Sequence, residues 1–164
     1  MRIILTVVFL MPFIVLAQDK EEIQISAGGT YSVINDFDNI DFAKHLGYYG
    51  SISITKGLNK FTSFSGGLIY MNQHIEILKT KFDINSVNAN FSYNIHPYKG
   101  FKIPLGFQIG IITNKEEGMD IGLFTATAGL GYGFDRIEIM GKYGHAINDN
   151  SFDSFLSLGL GYKF

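Results

Sequence analysis

The chain has 164 residues, enough for one domain, with 13 basic and 15 acidic side chains and a net charge of −2. That balance offers nothing to a nucleic-acid backbone. Cys is absent, which excludes a disulfide framework and thiolate chemistry. Gly is abundant at 19, aromatics reach 15% and Pro is scarce at 3, a composition that suits strands.

The first residues read as a targeting segment. Met1-Arg2 is a short basic start, and Ile3 to Leu16 is apolar apart from Thr6. Val15-Leu16-Ala17 places small or modest side chains where a signal peptidase reads, so residues 1–17 are expected to be a signal peptide cleaved after Ala17. The apolar run is shorter than the roughly 20 residues a membrane helix needs. Residues 18–164 then form one domain of net charge −3, because Arg2 leaves with the leader. No later apolar stretch is long enough for a spanning helix, so any membrane crossing falls to strands.

Period-two alternation predicts eight strands. The first runs from Glu22 to Ile34, with Ile23, Ile25, Ala27, Gly29, Tyr31 and Val33 on one face. A second spans His45–Thr55 and aligns Leu46, Tyr48, Gly50, Ile52 and Ile54. Thr62–Met71 is the third, with Phe64, Gly66, Leu68 and Tyr70. Asn85–Ile95, the fourth, carries Val87, Ala89, Phe91, Tyr93 and Ile95.

Phe101–Ile112 alternates most cleanly, through Ile103, Leu105, Phe107, Ile109 and Ile111. Pro104 interrupts it and predicts a bulge or a late strand start, since Pro donates nothing to a ladder. The sixth strand, Ile121–Phe134, aligns Phe124, Ala126, Ala128, Leu130, Tyr132 and Phe134. Arg136–His145 follows with Ile137, Ile139, Gly141 and Tyr143. The last strand places Leu156, Leu158, Leu160, Tyr162 and Phe164 on one face and Ser157, Gly159, Gly161 and Lys163 on the other.

No apolar face carries a charge. The opposite faces hold Gln24, Ser26, Thr30, Ser51, Ser53, Asn88, Asn90, Ser92, Lys102, Gln108, Thr125, Thr127, Glu138, Lys142 and Lys163. A soluble sandwich buries the apolar face, whereas a membrane barrel turns it to lipid and keeps a polar lumen. Connections alternate in length: 56–60, 96–100 and the turn at Asp135 are short, while 35–44, 72–81, 113–118 and 148–150 are mostly longer. Short periplasmic turns and longer outer loops are the barrel pattern. In that orientation Tyr31, Tyr48, Tyr70 and Tyr143 fall near the outer strand ends, and Tyr93, Tyr132, Tyr162 and Phe164 near the inner ends. Two aromatic bands suit two membrane interfaces. Ten of the 15 acids (Asp36, Asp38, Asp41, Glu76, Asp83, Glu116, Glu117, Asp120, Asp149, Asp153) lie in or beside the long connections, which makes the outer rim acidic.

The Val15-Leu16-Ala17 leader, the eight alternating segments and the terminal Leu160-Gly161-Tyr162-Lys163-Phe164 together resemble the small eight-stranded outer-membrane barrels of the OmpA/OmpX-type class. The Gly-rich strands and the Ala17-Gln18 junction also look like barrels common in Bacteroidetes-type bacteria. The expected fold is all-β, an eight-stranded antiparallel up-and-down transmembrane β-barrel. The resemblance implies an exported cell outer membrane protein, a terminal aromatic read by the barrel-assembly machinery, and a monomer in contact with outer-membrane lipids and lipopolysaccharide.

Eight strands enclose an interior that side chains can fill. Lys102, Glu138, Lys142 and Lys163 are expected to pair with one another and with Asn88, Asn90 and Gln108; the inward Gly and Ser leave a narrow channel as an alternative. Gly144-His145-Ala146-Ile147-Asn148 is similar to the His-x-Ser-Asn stretch of the outer-membrane lipid A deacylases. The nucleophile position holds Ile147, so Ser151 or Ser154 would have to fold back, with Asp149 or Asp153 orienting His145. Asp36-Phe37-Asp38-Asn39-Ile40-Asp41 is rich in hard oxygen ligands but lacks the Gly and closing Glu of a calcium loop. His74 and His96 show no metal-ligand spacing. Gly66-Gly67 and Gly129-x-Gly131-x-Gly133 sit inside strands and are not phosphate loops. No catalytic, cofactor-binding or metal-ligating set is assigned, and the expected role is non-enzymatic: structural or interactive, through the acidic outer loops.

Overall fold

The computed structural model describes residues 21–33, 46–77, 80–114, 120–147 and 154–164. Eight strands, β1 (Glu21–Val33), β2 (Leu46–Asn59), β3 (Thr62–Ile77), β4 (Thr80–Ile95), β5 (Phe101–Asn114), β6 (Asp120–Phe134), β7 (Ile137–Ala146) and β8 (Ser154–Lys163), form one closed barrel. Each strand pairs antiparallel with the next, and β8 returns to β1 through Gln24↔Lys163 to Val33↔Ser154. Closure leaves no free sheet edge along the wall.

The alternation seen in sequence sorts by face, and the sorting is inverted relative to a soluble protein. Leu130 is 67% exposed and Leu158 65%, while Asn88, Gln108 and Glu138 are each 2% exposed. Burying apolar side chains is the main favourable term of folding in water, so a wall of exposed leucines around a polar interior fits only a lipid solvent. The sandwich alternative falls on this point.

Both aromatic bands are present. Tyr48 and Tyr70 lie with ring centroids 6.3 Å apart near one rim. At the other, Phe101, Tyr132 and Phe134 meet edge-on at 4.8 and 4.6 Å, and Tyr162 packs against Phe164 at 5.0 Å.

Three details depart from the sequence reading. The 72–81 segment is not a long loop: β3 and β4 continue their ladder to Ile77↔Thr80, past the last rungs with β2 at Gly47↔Gln73 and with β5 at Ile84↔Asn114. The alternation there continues on the other face: Ile75 and Ile77, then Phe82 and Ile84, fall in step with the buried Ile69, Met71 and Asn88 and out of step with the exposed Leu68 and Val87, so a count of lipid-facing positions ends at Met71. Likewise 56–60 is not the turn. β2 runs to Asn59 with an irregularity between Gly57 and Asn59, and the chain reverses at Lys60 and Phe61. Pro104 causes neither a bulge nor a late start. The β5–β6 register is the same on both sides of it, from Lys102↔Gly131 to Leu105↔Ala128, and only the rungs at 103 and 104 lapse. A missing N–H removes a rung without adding a residue.

The two-residue turn between β6 and β7 holds Asp135 at φ 52°, a left-handed conformation that Asp tolerates better than most side chains. The signal-peptide assignment and the loops carrying Asp36, Asp38, Asp41, Glu116, Glu117, Asp149 and Asp153 lie outside the described residues.

Candidate functional site

The lumen is the most constructed part of the molecule. Lys102 on β5 reaches across to Glu138 on β7, Nζ to Oε1 at 2.6 Å. Lys163 on β8 takes the other carboxylate oxygen at 3.2 Å and also meets Glu22 on β1 at 3.5 Å. Gln24 Nε2 stands 3.5 Å from Glu138 Oε1. Strand alternation points all five side chains inward near the end of the barrel that carries Glu21 and Phe164. A carboxylate held between two ammonium groups is compensated in a way a lone buried charge is not.

A second network lies beside it. Asn94 Nδ2 donates to Ser65 Oγ at 2.7 Å and to Ser63 Oγ at 3.1 Å, and Ser65 meets Thr55 at 2.7 Å. Ser63 also contacts His96 Nε2 at 2.9 Å. His96 is therefore not an isolated loop residue. Burial, reinforced by the Lys102 ammonium, pushes its pKa below the ordinary value, so the ring is neutral at neutral pH. Among the described residues no group of three metal-ligating side chains converges.

Lys102, Glu138 and Lys163 thus come together as expected, but Lys142 stays out of the cluster. Asn88, Asn90 and Gln108 do not bond to the charges either. Asn88 donates to Ser86 at 3.0 Å, and Asn90 Oδ1 and Gln108 Nε2 are buried without a partner among the described residues. Sequence reading missed Glu22 and Gln24 as members of the network. It also missed two inward aromatics, Tyr49 and Phe155, which lie over glycines: a Cβ on Gly159 would collide with Tyr49 Oη, and one on Gly144 with the Phe155 ring. The signal was their position in the polar register of the strand, out of step with the lipid-facing residues.

Two cavities flank the ion cluster. A vestibule of about 370 Å³ opens at the terminal end and is lined by Glu21, Glu22, Thr55, His96 and Lys163, among others. Deeper in, a chamber of about 30 Å³ lies among Ser26, Ser51, Ser53, Asn90 and Lys142. Gln24 and Lys102 line both, so they form the wall between the two.

At the opposite rim, on the outer surface, Ser154 Oγ lies 3.0 Å from His145 Nδ1 and 2.8 Å from Tyr143 Oη. His145 and Ser154 sit directly opposite one another in the β7–β8 ladder. The Ser–His contact that the sequence denied at Ile147 is thus supplied from the next strand. Ser151, Asp149 and Asp153 lie outside the described residues, and no described carboxylate orients the imidazole. Asn85 Oδ1 accepts from Tyr70 Oη and Asn72 Nδ2, each at 2.8 Å, in a similar outer-rim cluster on β3 and β4.

No family model matches the chain, and no curated protein matches it. Solved structures do. Ail, the attachment invasion locus protein of Yersinia pestis, aligns over 89% of this chain and 100% of its own with a TM-score of 0.58 at 15% identity. Neisserial surface protein A aligns over 88% of this chain and 97% of its own, with a TM-score of 0.54 at 16% identity. The N-terminal β-barrel domain of Pseudomonas aeruginosa OprF covers 90% of this chain and 100% of its own, with a TM-score of 0.54 at 16% identity. At such identities the likeness shows the fold.

Proposed function

From the fold of the small eight-stranded outer-membrane barrels, OmpA/OmpX-type, we propose that this chain is a non-enzymatic outer-membrane protein. Its role is structural or interactive, and it works as a monomer. The observation that carries the proposal is the inverted barrel: a lipid-facing apolar wall between two aromatic bands, around a lumen filled by bridged charges and hydrogen-bonded Ser and Asn. An interior tied across by Lys102, Glu138 and Lys163 suits rigidity better than conduction.

In this reading the connections at 34–45, 115–119 and 147–153 face outward and meet lipopolysaccharide and extracellular ligands. Insertion depends on the barrel-assembly machinery. One neighbour, Ail, was solved with the heparin analogue sucrose octasulfate. The acids that this sequence concentrates in its outer connections repel such a polyanion, so sulfated glycans are poor candidates here, and lipopolysaccharide contact through bridging cations fits better.

The test is gel mobility of cold and boiled samples from outer-membrane fractions, combined with lipopolysaccharide co-purification. A heat-modifiable band in that fraction is expected. Replacing Asp36, Asp38 and Asp41 by Asn is expected to reduce retained lipopolysaccharide. A periplasmic, unmodifiable band would overturn the membrane reading, and unchanged lipopolysaccharide would overturn the role of that loop.

The Ser154–His145 contact favours one second reading, a lipid-acyl hydrolase at the rim. It lacks an orienting carboxylate among the described residues. The described backbone N–H groups nearby are engaged in the ladders with β1 and β7, so no preformed oxyanion donors stand among the described residues. The cluster is better suited to hydrogen-bonding at the headgroup level.

A further inference from the structure

We propose that the chamber beside Lys142 is a binding site for one small monovalent anion of halide size. The first ground is charge. Three lysines, Lys102, Lys142 and Lys163, enter the lumen, and the carboxylates set against them are Glu138 and, at the mouth, Glu22. Both oxygens of Glu138 are already committed, Oε1 to Lys102 and Oε2 to Lys163. The Lys142 ammonium makes neither an ion pair nor a hydrogen bond among the described residues. An unpaired charge removed from bulk water is costly unless something compensates it.

The second ground is shape. Lys142 stands opposite Gly129 in the β6–β7 ladder. A Cβ at 129 would lie 2.9 Å from Lys142 Cγ and 2.5 Å from the Gly141 carbonyl oxygen. Gly at that position makes the room in which the lysine stem lies. The chamber it borders is about 30 Å³. That volume holds about two to three waters at roughly 10–15 Å³ for each, or a single halide in their place. A space of that size favours a halide over the larger tetrahedral oxyanions.

The third ground is the lining. Ser26 and Ser53 offer hydroxyls to the chamber, Ser51 donates its own to Ser26 Oγ at 3.3 Å, and the Ser53 hydroxyl makes no hydrogen bond among the described residues. Hydroxyl donors around an ammonium make a soft, small-anion site with no requirement for planar, bidentate geometry. No carboxylate lines the chamber, whereas Glu21 and Glu22 line the vestibule. The anion is therefore assigned to the chamber and not to the larger cavity.

The probe is bromide, with the full barrel folded in detergent. Crystals grown in bromide are expected to show an anomalous peak in the chamber, absent from Lys142→Met. In solution the melting temperature is expected to rise saturably with chloride against gluconate at equal ionic strength, and K142M is expected to lose that dependence. A chamber without anomalous density, superimposable chloride and gluconate melting curves, or a peak that persists in K142M would each overturn the site. If K142M does not fold, the wild-type bromide map and the chloride–gluconate comparison decide the question alone.

Discussion

Lys102 and Glu138 meet at 2.6 Å across the lumen from β5 and β7, two strands separated in the wall by β6. The contact passes over the small Gly131 and Gly133 of the strand between them. It ties together two strands that share no ladder, which ladder hydrogen bonds, joining only neighbours, cannot do.

Removing the shared carboxylate is therefore expected to be costly. Glu138→Ala leaves Lys102 and Lys163 facing each other in a desolvated lumen, and breaking such a buried pair costs about 3–5 kcal/mol. Urea unfolding from lipid vesicles measures it. The double variant Lys102→Met, Glu138→Met is expected to lose much less, since a buried pair exchanged for apolar groups of similar volume is often neutral. Equal losses in the two variants would show that the cost is packing and not charge.

The lipid-facing assignment of Leu105 and Leu130 has a direct consequence. Both are exposed on the apolar wall. Arg at either position is expected to cost up to about 2–4 kcal/mol at the bilayer midplane, less toward the interfaces. Folding into vesicles of defined thickness reads the effect, and a neutral result at both sites would reverse the orientation of the wall.

His96 predicts a pH dependence. Its folded-state pKa is depressed, chiefly by burial and then by Lys102. The unfolded chain therefore binds the proton more readily, so stability falls as pH drops through the ordinary His pKa of about 6.5 until the folded value is passed. His96→Gln is expected to flatten the unfolding midpoint between neutral and mildly acidic pH. A slope unchanged in H96Q would assign the dependence to another group.

Ser154→Ala tests the hydrolase reading. Acyl-chain composition of lipopolysaccharide from cells expressing wild type or S154A is expected to be identical by mass spectrometry. A chain missing in wild type and restored in S154A would make Ser154 a nucleophile.

How much was legible in sequence depends on the range of the interaction. The outward residues Ile23, Leu68, Phe107, Leu130 and Leu158 were readable because side-chain direction in a strand follows a period of two, a property of the local backbone. The aromatic bands followed from the same count. The β3–β4 hairpin was misread at 72–81, because the apolar positions there (Ile75, Ile77, Phe82) change parity relative to the lipid-facing residues before them, and the partner strand alone shows that the ladder continues. Pro104 was misread for another reason: its missing donor is local, but whether a ladder bulges or lapses depends on the partner strand. At the rim, the sequence left Ser151 and Ser154 as alternatives to the missing hydroxyl at Ile147, and the β7–β8 register selects Ser154, which stands opposite His145.

By itself the sequence determined that this protein is made of strands, which side chains face lipid and which face the lumen, and that no apolar stretch after residue 17 is long enough for a helix to cross a membrane. Each is set within a few residues of chain. Strand pairing and closure decided the rest. Pairing and register set Glu138 between Lys102 and Lys163 and brought His96 to Ser63 on the neighbouring strand. Closure of β8 onto β1 joined Gln24 to Glu138 and laid Tyr49 over Gly159. Those contacts depend on which strands pair, and in what register, around the barrel. A local alternation specifies a face, but only the closed ring specifies who stands across from whom.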